Sequence, residues 1–255
     1  MSRLLLHLQL VGLLAAMFWG STPCRGADES DTSYARMLSR INRASPIEPA
    51  GSHGSIGFSF GAGARETQVE GTPINDQSSG FTFAPSEEVE LTKVQMAEAQ
   101  VIKGLTWPID VGLAVGKSIG QDLERFGGYV QWTAYESLAM PALAVRLGHS
   151  RLFGIEGQIG TTSGQALISY GFLRYFTLYG GIGGDYVQST SRSRSSDGLF
   201  VSNPDDDIVH ADWYENNRFY GARILIIPPL GALSAEAVDH QGEPVNYAVK
   251  LSIGM

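Results

Sequence analysis

Val245-Asn246-Tyr247-Ala248-Val249-Lys250-Leu251-Ser252-Ile253-Gly254-Met255 sets Tyr247, Val249, Leu251, Ile253 and Met255 on one side of an extended chain. Asn246, Ala248, Lys250, Ser252 and Gly254 fall on the other. A period of two with a greasy face and a small or charged face is the pattern of a strand between two different environments. The same rhythm recurs upstream. Ile56, Phe58, Phe60, Ala62 and Ala64 alternate with glycines, Ser59 and Arg65, and Trp107, Ile109, Val111, Leu113 and Val115 alternate with Asp110, Gly112 and Ala114. Further stretches of this kind run through Phe126–Tyr135, Leu143–Gly148, Gly157–Phe172, Phe176–Tyr186, Trp213–Ile227 and Leu230–Val238.

Glu90–Lys103 is the ambiguous stretch, because its Ala, Met, Glu and Gln residues also favour a helix. Counted as a strand, it brings the total to about ten. An even number returns a single-chain barrel to its starting side. The expected fold is therefore all-β, an up-and-down antiparallel transmembrane β-barrel of about ten strands with a short N-terminal helix. The connections support it: 67–88 and 189–212 are long and fall at one end with 117–124, 151–156 and 239–243. The turns 104–106, 136–140, 173–175 and 228–229 are brief and fall at the other.

The N-terminus has another character. Arg3, the apolar run Leu4–Phe18 and a small-residue exit ending at Gly26 read as an export signal spanning 1–26. Its removal would discard Cys24, the one cysteine, and so exclude disulfides, thiolate metal sites and a cysteine nucleophile. Loss of Arg3 and Arg25 would take the net charge from −8 to −10, which argues against nucleic acid as a partner. Residues 27–53 then form an N-terminal periplasmic segment. A short helix over Asp31–Asn42 has Tyr34, Leu38 and Ile41 on one face, and Pro46 and Pro49 end it. This segment reads as a lead-in to the barrel, with a plug at the barrel mouth as the other reading. The barrel itself takes 54–255. Glycine supplies 31 of 255 residues, well above the usual ~7%, as a crowded barrel interior requires.

Pro141-Ala142-Leu143-Ala144-Val145-Arg146-Leu147-Gly148-His149-Ser150-Arg151-Leu152, then Gly154-Ile155-Glu156 and Leu178-Tyr179-Gly180-Gly181-Ile182-Gly183, resemble segments of small outer-membrane β-barrel proteins of Gram-negative bacteria. The resemblance spans roughly 54–255 and carries no particular activity. It implies the outer membrane as location, membrane lipid and lipopolysaccharide as contacts, a barrel-assembly machinery as partner, and a monomer. Such barrels usually end in an aromatic residue, whereas this chain ends in Met255.

The inward faces would carry Arg65, Asp110, Arg146, Asp185, Arg223, Glu236 and Lys250, with Glu98 on the ambiguous stretch. Opposite charges in a narrow interior are expected to pair across the lumen and close it. A gated pore is the functional alternative. Asp205-Asp206-Asp207, His210 and Asp212, with Glu87 and Glu88 on another connection, would suit water activation at a rim or an oxygen-ligated cation. Arg192 and Arg194 would suit lipopolysaccharide phosphates. No nucleophile elbow, P-loop, dinucleotide fingerprint, HExxH or EF-hand loop is present, and neither a cofactor nor a metal is expected. The sequence favours a non-enzymatic structural barrel or narrow small-solute channel. A surface protease-like enzyme using His210 and a soluble periplasmic lipid-binding barrel are the alternatives.

Overall fold

The computed structural model describes residues 38–68, 93–120, 122–137, 140–154, 157–172, 175–192, 208–227, 230–240 and 245–254. Ten strands follow one another: β1 (Phe58–Gln68), β2 (Lys93–Gly104), β3 (Ile109–Ser118), β4 (Glu124–Tyr135), β5 (Ala142–Phe153), β6 (Gly157–Phe172), β7 (Phe176–Arg192), β8 (Ile208–Ile227), β9 (Gly231–His240) and β10 (Asn246–Gly254). Each pairs antiparallel with its chain neighbours. The ring closes where β1 meets β10, with Ala62 opposite Leu251 and Ala64 opposite Val249. Closure leaves no edge strand, although the longer strands outrun their neighbours: β9 pairs with β8 only from Asn217 to Ile227.

The alternation sets the two faces. Leu113, Ile182 and Leu251 stand on the outside, 53%, 65% and 52% exposed, while Asp110, Arg146 and Lys250 are 1–2% exposed inside. The ordinary arrangement of a soluble protein is inverted, with the polar residues forming the interior. Inward glycines make room for large neighbours. A Cβ on Gly112 would lie 2.1 Å from the Tyr129 ring, and one on Gly221 would lie 2.4 Å from that of Tyr179.

The ambiguous stretch is strand β2, alternating exposed Gln95, Ala97 and Ala99 with buried Met96, Glu98 and Gln100. Ladder pairing with β1 and β3 overrides its helix propensity. Strands β7 and β8 also run further than the apolar pattern indicated. Residues 189–192 and 208–212, expected in a polar connection, pair with each other from Ser189 opposite Ala211 to Arg192 opposite Ile208. Once out of the apolar belt the ladder needs only backbone hydrogen bonds, so it continues through polar sequence.

The segment expected to lead in from the periplasm lies inside the barrel instead. Leu38, Ile41, Ile47 and Ala50 are each fully buried. Only residues 38–42 of the expected helix are among those described, and they are helical. From Arg43 to His53 the chain has no regular secondary structure, and Pro46 and Pro49 bar a helix there. Proline also biases Ser45 and Glu48 towards extended conformations. The proposed signal peptide, the connections 69–92 and 193–207, and Met255 lie outside the described residues.

Candidate functional site

The luminal segment 38–53 crosses the barrel from end to end. Leu38 and Ile41 pack with Val94, Leu123, Leu152 and Val187, at the end bearing the long connections. At the opposite end Ser52 donates through N and Oγ to Glu136 Oε2, just past β4. Ala50 packs against Ala142, Ala144 and Leu167 nearby. Gly127 and Gly148 hollow the wall beside Ala44, which would sit 3.3 and 3.2 Å from Cβ atoms added at those positions.

An irregular chain in a dry interior has backbone groups with no ladder to join, and each unpaired one costs about 1–3 kcal/mol. Barrel side chains take over that task almost residue by residue. Arg125 Nη1 donates to the Ile41 and Arg43 carbonyls, both at 3.1 Å. Ser150 Oγ reaches the Asn42 carbonyl, and Arg65 Nη2 the Ser45 carbonyl at 2.8 Å. Arg146 spans the Pro46 carbonyl at 3.3 Å and the Glu48 carbonyl at 2.9 Å. Gln131 reaches Pro49 and Gly51, and Thr133 Oγ1 reaches Ala50 at 2.8 Å. Pro46 and Pro49 themselves have no N–H to satisfy.

The charges follow the same plan. Glu48 lies between two cations, with Lys250 Nζ 2.5 Å from Oε1 and Arg223 Nη1 2.7 Å from Oε2. Arg43 lies 3.8 Å from Asp185, which also accepts from Asn217 at 2.7 Å. Arg40 pairs with Glu215. His53 donates its N–H to Asp110 at 3.1 Å and places Nδ1 3.0 Å from the same carboxylate. Arg125 holds Glu98 at 2.6 Å, with Arg65 3.6 Å away. Arg146 is bonded to neutral groups, the Gln131 and Gln165 amides on the flanking strands and the two carbonyls, and its guanidinium centre stands 5.7 Å from the Tyr129 ring.

Arg65, Asp110, Arg146, Asp185, Arg223, Glu236 and Lys250 thus all belong to the interior wall, as does Glu98. The expectation that they pair with one another across the lumen is corrected. Of these pairs the structure brings together Arg65 with Glu98. Asp110, Asp185, Arg223 and Lys250 meet partners on the luminal segment, Arg146 meets amides and carbonyls, and Glu236 is buried without an ion pair among the described residues. The sequence reading missed Arg40, Arg43, Glu48, His53, Arg125 and Glu215. Continuing the β4 alternation back from Tyr129 through Gly127 would have placed Arg125 inside.

The other candidates are dispersed. His210 is opposite Thr190 in the β7–β8 ladder, and Asp212 accepts from Tyr186 Oη at 2.9 Å. Glu87, Glu88, Arg194 and Asp205–Asp207 lie outside the described residues, and among those described no group of three metal-ligating side chains forms.

Among solved structures the chain is similar to the outer membrane protein OprG from Pseudomonas aeruginosa, at 10% identity and a TM-score of 0.33, covering 82% of this chain and 99% of that one. It is also similar to the KdgM porin in complex with disordered oligogalacturonate, at 11% identity and a TM-score of 0.32, covering 78% and 98%. No protein-family model and no curated protein matches the chain.

Proposed function

We propose that this protein is a non-enzymatic outer-membrane β-barrel whose lumen is closed by its own N-terminal segment and admits small solutes only when that segment leaves. The membrane placement rests on the exposed apolar faces of Leu113, Ile182 and Leu251 around a closed wall, with charges inside. A soluble lipid-binding barrel would carry those faces inward. Long connections at one end and short turns at the other give the orientation, with the connections 69–92 and 193–207 facing the outside of the cell.

The observation that carries the closed state is Glu48 between Lys250 and Arg223. This carboxylate anchors the segment to β8 and β10 in the centre of the lumen, where a solute would pass. Conductance of the mature chain in planar bilayers tests the reading. The full-length mature protein is expected to be silent, and a variant lacking 38–51 to open in discrete steps. Steady conductance by the intact protein would refute closure, and silence of the shortened one would refute the channel.

A further inference from the structure

The luminal segment has a direction. Leu38 and Ile41, at its start, are fully buried in an apolar collar with Val94, Leu123, Leu152 and Val187. Val94 is near the start of β2, Leu123 precedes β4 and Leu152 is next to last in β5, so the collar lies at the end bearing the long connections. At the opposite end Ser52 meets Glu136, and His53 meets Asp110, the second residue of β3. A tight turn follows, with Gly54 at a φ of +68° and the Gly57 N–H donating to the Gly54 carbonyl at 3.2 Å. Lys103 Nζ donates to the Ser55 and Gly57 carbonyls, and β1 begins at Phe58, opposite Lys103. The chain thus runs down the lumen from the long-connection end, turns at the short-turn end and climbs back as β1.

The wall grips this single pass of chain from several sides. At Glu48 the contacts come from Arg146 on β5, Arg223 on β8 and Lys250 on β10. Higher up, Cβ atoms added at Gly127 and Gly148 would lie 3.3 and 3.2 Å from Ala44. Both strands of the closing seam hold it too, Arg65 of β1 at the Ser45 carbonyl and Lys250 of β10 at Glu48. A second pass of chain beside residues 44–48 has no room, so whatever precedes Leu38 cannot return through the lumen. The stretch Ala27-Asp28-Glu29-Ser30-Asp31-Thr32-Ser33 carries only carboxylate and hydroxyl side chains after its alanine, which belong in water rather than in a dry lumen or in lipid.

We infer that the barrel carries its own N-terminal end across the outer membrane and displays it at the cell surface. The display rests on the membrane orientation proposed above, which turns the long connections outward. An N-terminus kept in the periplasm would have to enter the lumen from below and lie beside the segment that already fills it. The apolar collar fixes the segment along the barrel axis, together with the ion pairs of Arg40 with Glu215 and Arg43 with Asp185. The outward end is therefore part of the folded state and not a passing stage of assembly. What reaches the surface is a short acidic stretch, with Asp28, Glu29 and Asp31 ahead of Arg36.

The test labels single cysteines with a bulky, membrane-impermeant maleimide on intact Gram-negative cells that express the full chain in a Cys24→Ser background. Ser30→Cys reports the displayed end. Asp122→Cys, exposed between β3 and β4, reports the outward end of the barrel, and Thr106→Cys, exposed between β2 and β3, the inward end. Positions 30 and 122 are expected to label at comparable rates in intact cells, and position 106 only after the outer membrane is permeabilised. Labelling at 122 with position 30 silent until permeabilisation would overturn the display and leave the orientation standing. The reverse pattern, 106 labelled and 122 silent, would refute the orientation and the display with it. Absence of position 30 from the denatured protein would overturn the display equally. As a second readout, trypsin added to intact cells is expected to cut after Arg36 and to spare Arg40 and Arg43, which are buried. Cutting after Arg36 only in permeabilised cells would contradict the display.

Discussion

Lys250 on β10 and Glu48 on the luminal segment, 202 residues apart in the chain, meet with Nζ 2.5 Å from Oε1. Both are buried, at 1% and 3% exposure, and Arg223 takes the second carboxylate oxygen. Removing one member of a buried ion pair leaves the other charge uncompensated and costs about 3–5 kcal/mol. Glu48→Gln strands two cations and should fall in that range, measured by urea unfolding in detergent or by loss of heat-modifiable migration. Lys250→Met alone leaves Arg223 to hold Glu48 and should cost less. Adding Lys250→Met to Glu48→Gln should restore part of the loss, because the double variant no longer buries the lysine charge. Strict additivity would show that the pair is not coupled.

The wall offers an independent test of orientation. Leu113 and Gly112 are consecutive on β3, one facing out and one facing the Tyr129 ring. Leu113→Arg should destabilise the folded barrel in bilayers by about 2–4 kcal/mol if its depth is near the midplane. The effect should shrink in detergent, where the belt is thinner and wetter. Gly112→Ala should cost the same in both, since its Cβ collides with a buried ring rather than with solvent. A Leu113→Arg variant that folds as well as the parent in lipid would place that face elsewhere.

Gly148 marks the point where the wall yields to the segment. A Cβ there would approach the Ala44 carbonyl oxygen to 2.7 Å and the Ala44 Cβ to 3.2 Å. Gly148→Val is therefore expected to push the segment aside while leaving the β5 pairing with β4 and β6 intact. Overpacking of this kind costs about 1–3 kcal/mol. In planar bilayers the variant should show openings that the parent lacks. A barrel that stays closed with unchanged stability would mean Ala44 is not against this wall.

Arg146 contributes by shape as well as charge. It spans two carbonyls of the segment and the amides of Gln131 and Gln165 at once. Arg146→Lys retains the charge and loses the planar fork. Hydrogen exchange of the segment's amides should accelerate in that variant more than exchange in the strands β3 to β5. Uniform acceleration would point to a general loss of stability instead.

The barrel was legible because its outer face and its lumen carry opposite kinds of side chain on the same strand, and a period of two survives even in the short run from Tyr247 to Gly254. Charged wall residues such as Asp110 and Lys250 followed from that phase alone. The luminal segment left no comparable mark. Leu38 and Ile41 give one helical turn, Arg43 and Glu48 look like ordinary solvated charges, and the backbone is recognised through carbonyls, which every sequence has. Only Pro46 and Pro49, which remove N–H groups that no ladder would satisfy, hint at an unpaired chain in a dry place. The polar ends of β7 and β8 escaped for a related reason, because beyond the apolar belt pairing is carried by the backbone and the side-chain pattern fades.

The filled lumen is tested most directly at Ala50, fully buried between Thr133 and Ser169, whose hydroxyls bond its carbonyl and its N–H. Ala50→Cys in the mature barrel is to be treated with a membrane-impermeant maleimide, beside Ser55→Cys at an exposed position on the same segment's exit. The account predicts rapid labelling at 55 and labelling at 50 only after unfolding. Equal rates at both positions in the folded protein would show that the segment does not occupy the lumen.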